Sequence, residues 1–221
     1  MDGPPEDAAA FLIGRAGPPA VAGEPAELAA LAAGGLPLAP ILWVPAAAEA
    51  TFYRLNGLPH RLEALFETLD PVDPDEDDVE ELAPRARALL REHVVLDTWI
   101  DAFYDRLERF PSPVRVRRPG TAGRVEPRGR PALLALRATW ADAWSDDRVL
   151  ARARATGSVH ATPAPVLVQA ADDAPASPDV SARAEAILGE RREVRVLAGG
   201  GITRVARVDG HVTPHAPDLP A

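Results

Sequence analysis

Val114-Arg115-Val116-Arg117-Arg118-Pro119-Gly120 (VRVRRPG) is the stretch on which the fold turns. Its first four residues alternate apolar and charged, the period of a half-buried strand. Upstream the pattern is helical. Leu96, Trp99, Ile100, Phe103, Tyr104 and Leu107 fall on one stripe, and residues 79–93 form the helix before it. Leu62, Leu65, Phe66 and Leu69 recur at helical spacing, and Pro45 opens a helix through Phe52, Tyr53 and Leu55. Residues 41–44 (ILWV), bounded by prolines, are a buried strand. Residues 27–33 (ELAALAA) are a short helix stopped by Gly34-Gly35. The character changes at residues 110–113 (FPSP). Downstream, residues 118–131 read as a Gly/Pro/Arg loop, followed by helices over 132–144 and about 146–156. Residues 165–169 (PVLVQ) are another strand, 170–178 a linker and 181–188 a short helix. Residues 193–197 and 202–208 flank Gly199-Gly200-Gly201 as a hairpin. The expected class is therefore α/β (α+β), with a helical N-terminal part and a mixed sheet.

Composition narrows the chemistry. The 221 residues make one domain or two small ones, long enough for a core without staples. Cysteine is absent, which excludes disulfides, thiolate zinc sites and thiol nucleophiles. All 24 basic residues are arginine, which excludes Schiff-base chemistry and a P-loop lysine. A net charge of −9 argues against general nucleic-acid binding. No run approaches 18 apolar residues, and the acids and prolines of residues 1–7 do not make a signal peptide. The expected setting is cytoplasmic.

The order of the blocks resembles the N-terminal nucleotide-binding domain of the phosphoenolpyruvate synthase and pyruvate phosphate dikinase family. Four stretches carry the likeness. Residues 27–42 (ELAALAAGGLPLAPIL) resemble that family's helix, glycine and Leu-Pro-x-Pro strand, and residues 114–120 sit where it has Val-x-Val-Arg-Ser-Ser-Ala. Residues 132–152 (ALLALRATWADAWSDDRVLAR) resemble its helix with an aromatic-Ala-x-x-aromatic turn, and residues 165–169 its Val-Val-Val-Gln strand. The resemblance implies a partial ATP-grasp-like domain over residues 21–170. Residues 1–20 are then a flexible lead-in, 171–211 a linker, short helix and hairpin, and 212–221 a disordered tail. It also implies binding of ATP with magnesium, with phosphate held by Arg117 and the base edge beside Gln169.

The departures are as informative. The family's lysine before the first helix is replaced within residues 23–27 (GEPAE), which put Glu24 where a cation would meet phosphate. The paired serines become Arg118 and Pro119, and the carboxylate region beyond Gln169 is reduced to a linker and hairpin. The expectation is thus a degenerate nucleotide-binding domain without phosphotransferase activity of its own.

The candidate ligand-binding residues are Arg117, Arg118, Arg124, Arg128, Arg130 and Gln169; no catalytic or metal-binding residue is named. Residues 115–137 carry seven arginines against one acid, Glu126. Such a stretch clamps a triphosphate, a nucleic-acid backbone or an acidic protein, or is simply a solvated loop. An interaction module using this stretch is the alternative function. Arg117 itself is either a phosphate ligand or a surface strand arginine. Residues 70–81 hold eight acids and no base, and are expected to enter a helix or to pair with the arginines, within the molecule or between copies. They lack the glycine and spacing of an EF-hand. His211 and His215 are separated by Pro214 and read as tail, and Trp99, Trp140 and Trp144 as core.

Overall fold

The computed structural model describes residues 12–14, 23–171, 174–197 and 200–207. Most of the expected elements form. The helix expected at 27–33 starts earlier, as α1 (Glu24–Ala33), with Pro25 in its first turn. It is followed by β2 (Ile41–Val44), with β1 (Leu12–Gly14) preceding it in the chain. Four helices come next: α2 (Ala46–Leu55), α3 (Leu58–Leu65), α4 (Glu76–Glu92) and α5 (Asp97–Leu107). The quoted alternation is β3 (Val114–Arg117). The stretch expected as loop contains β4 (Arg124–Glu126), which hairpins back on β3. Helix α6 (Arg130–Ala141), a 3-10 turn (Asp142–Trp144) and α7 (Asp146–Thr156) lead to β5 (Val166–Ala170). A short β6 (Ala174–Pro175), α8 (Pro178–Leu188), β7 (Arg192–Val196) and β8 (Ile202–Arg207) complete the described chain.

The larger sheet has the order β1-β2-β5-β3-β4 and the smaller one β6-β7-β8. Strands β2 and β3 run the same way, but β5 lies between them and runs opposite to both. Every named pairing is therefore antiparallel, where a mixed sheet was expected, and the one parallel contact among the described residues is an isolated bridge between Leu38 and Ile202. The expected lead-in supplies β1, antiparallel to β2. His211, His215 and the tail expected over 212–221 lie outside the described residues.

Alternation gives the large sheet two different faces. Leu42, Val44, Val114, Val116, Val166 and Val168 point into the main core, with Phe52, Phe103, Trp140 and Trp144 from the helices. Ile41, Trp43 and Leu167 point the other way. They meet Leu28 and Leu31 of α1, Ala184 of α8, and Val194, Ile202 and Val205 of the small sheet. Residues from both sides of position 170 thus share the second core. Gly34 permits the α1–α8 contact, since a Cβ there would lie 2.4 Å from Ile187 Cδ1. No helix among the described residues is long and apolar enough to cross a membrane.

Candidate functional site: two arginine–carboxylate centres

Arg115 and Arg117 share the sheet face opposite Val114 and Val116, and Gln169 is the cross-strand partner of Arg115 on that face. That face is covered by α1 and β8, so Arg117 is fully buried despite its charge. Its guanidinium grips Glu24 at the start of α1: Nη1 donates to Oε2 at 2.5 Å and Nη2 to Oε1 at 2.7 Å. The same carboxylate accepts from the backbone N–H of Gly120 at 2.8 Å and of Val205 at 3.2 Å. Arg117 Nε donates to Gln169 Oε1 at 2.9 Å, and Gln169 Nε2 donates to the Thr203 carbonyl. Four donors from three residues, in two distant chain segments, therefore converge on one carboxylate, about as many as its lone pairs accept. A buried, two-pronged guanidinium–carboxylate pair is a strong, directional contact, and here it ties the large sheet to α1 and the small sheet. Gly123, at φ 72°, makes room for it: a Cβ there would sit 2.3 Å from Arg117 Cβ.

The neighbouring Arg118 faces a second buried acid. Its Nη1 and Nη2 donate to Glu49 at 3.1 and 2.9 Å, and Nη1 also reaches the Ala164 carbonyl at 2.8 Å. Glu49 further accepts from Ala164 N–H at 2.9 Å and from the Tyr53 hydroxyl at 3.2 Å. Trp144 Nε1 donates to the Tyr53 oxygen at 3.0 Å. Burial, and then the charge of Glu49, push the Tyr53 hydroxyl pKa far above the ordinary tyrosine value.

The remaining arginines of the expected clamp go elsewhere. Arg124 pairs with Asp142 at 2.8 Å, on the oxygen opposite the one Arg87 approaches at 3.3 Å. Arg128 Nη1 donates to the carbonyls of Glu108 and Phe110, closing the end of α5. Arg130 is exposed at the first position of α6. The six candidates thus divide: Arg117 and Gln169 meet at one buried centre and Arg118 lies at the other, Arg124 and Arg128 brace elements, and Arg130 faces solvent. Among the described residues no three His, Asp or Glu gather as a metal-binding group.

Glu24 and Glu49 are the partners that spacing does not reveal. Ninety-three positions separate Glu24 from Arg117, and 69 separate Glu49 from Arg118. Glu49 does leave a trace: it lies three and four residues before Phe52 and Tyr53, on the apolar stripe of α2. No family model matches this chain, and no curated protein matches it.

Proposed function

We propose that this chain is a non-catalytic interaction domain, whose partner is an acidic protein surface and whose setting is cytoplasmic. One observation carries the reading: both arginines suited to gripping phosphate have their forks filled by carboxylates of the same chain. A nucleotide at Arg117 would have to displace Glu24 from four donors. Removing one partner of a buried pair costs about 3–5 kcal/mol, a burden that nucleotide contacts would first have to offset. Exposed arginines lie elsewhere, among them Arg109 and Arg130 near the end of α5 and the start of α6, with Arg106 half-buried in the last turn of α5. The degenerate ATP-and-magnesium reading stays as the competing proposal, and rests on the ordered resemblance of residues 21–170.

A fluorescent polyglutamate peptide tests the reading. It is expected to bind wild type at low ionic strength, to weaken steeply with added salt, and to weaken further in Arg130→Ala. Equal affinity for wild type and for a variant lacking the positive charges of Arg106, Arg109 and Arg130 contradicts it.

A further inference from the structure

Residues 70–81 and the start of α6 are charge-complementary but cannot meet within one molecule. Helix α4 runs 17 residues from the acidic stretch, a span of about 25 Å at ~1.5 Å per residue. Glu76 at its first turn pairs with Arg154 at the end of α7. At its far end the Arg91 carbonyl accepts a hydrogen bond from Arg137 of α6. One step back, Arg87 pairs with Asp142 just beyond the other end of α6, so α4 and α6 are antiparallel. Leu134 and Arg130 precede Arg137 by about one and two turns, at or past the C-terminal end of α4 and far from the acids.

Both ends carry an exposed apolar residue within their charge. Val72, 78% exposed, lies among Asp70, Asp73 and Asp75. Leu134, 47% exposed, is flanked at i−4 and i+3 by Arg130 and Arg137, on one face of α6. The acids are only partly used. Glu76 and Glu81 make exposed ion pairs, and Asp70 and Asp75 accept from Val72 N–H and Asp77 N–H. Asp73, Asp78 and Glu80 are exposed, and no described side chain pairs with them.

Resting on the interaction-domain reading, we infer that the acidic partner is a second copy of this chain. Residues 70–81 of one protomer dock on the exposed Arg130 and Leu134 of the other's α6. Each copy carries both halves, and the arrangement inferred is the two-fold one, in which both contacts form at once and the assembly closes as a dimer.

Sedimentation velocity on the full chain tests this. Wild type is expected to be dimeric at about 0.01 M salt and monomeric at about 1 M, where the screening length falls from ~30 to ~3 Å. A variant combining Asp73→Arg, Asp78→Arg and Glu80→Arg is expected to be monomeric at low salt. So is a second variant combining Arg130→Glu and Leu134→Glu. Mixed in equal amounts, the two are expected to form a heterodimer, because each then offers what the other lost. All substituted positions are exposed, and unchanged circular dichroism verifies folding. A wild type monomeric at low salt, a dimer surviving in either variant, or no heterodimer on mixing overturns the inference. Polyglutamate binding by a monomeric wild type would overturn it while leaving the interaction-domain reading standing; loss of both would sink both.

Discussion

Arg117 carries the largest consequence of any single side chain. Its position on the strand is legible from VRVR, because alternation puts it opposite Val114 and Val116. Its fate is not, because burial depends on α1 and β8 arriving from distant parts of the chain. Glu24 is visible in the sequence as an acid, but its partner is not: in the structure its carboxylate fills the fork of Arg117, accepting from both terminal nitrogens. Truncating either partner strands the other in the interior. Arg117→Met and Glu24→Gln are each expected to cost about 3–5 kcal/mol. The double variant should lose clearly less than the sum, since no stranded charge remains. Urea unfolding of the four proteins measures the coupling, and simple additivity would show that the pair does not act as a unit.

At the scale of elements, the periodic segments are the legible ones. The stripes of α4 and α5 and the short runs of β2, β3 and β5 all form where their patterns fall. What escapes is β4, three residues inside a Gly/Pro/Arg stretch, too short to display a period and held by its hairpin with β3. Helix starts are also earlier than apolar periodicity indicates: α4 and α8 begin behind a side-chain cap, and α1 and α6 open on a proline in the first turn. Helix α4 begins at Glu76, with the Asp75 side chain accepting from Asp77 N–H at 2.9 Å. Three acids in the first turn add a favourable interaction with the helix dipole. Asp75→Ala is expected to cost about 1 kcal/mol, read as a lower urea midpoint with an unchanged slope. Asp75→Asn, which keeps the acceptor, should recover most of it. Equal losses in the two variants would assign the effect to charge rather than to the cap.

For the whole molecule, the sheet separates two cores, and the buried ion pair of Glu24 and Arg117 lies on the side of the smaller one. The α/β class was legible from strands interleaved with helices. The closure of the second face was not, because a linker, a short helix and a glycine-rich hairpin do not announce which surface they cover. That closure is what turns an arginine-bearing sheet face into an interior, and it underlies the proposal that this chain is an interaction domain whose Arg117 is closed to nucleotide. Thermal unfolding with and without millimolar magnesium-ATP, on wild type and Arg117→Met, tests this most directly. A ligand at 100 times its Kd adds about 2.7 kcal/mol of stability, a readily measured rise in Tm. The closed centre predicts no ATP-dependent rise in either protein. A rise in wild type that disappears in Arg117→Met would mean that nucleotide does reach Arg117 and that Glu24 gives way to it.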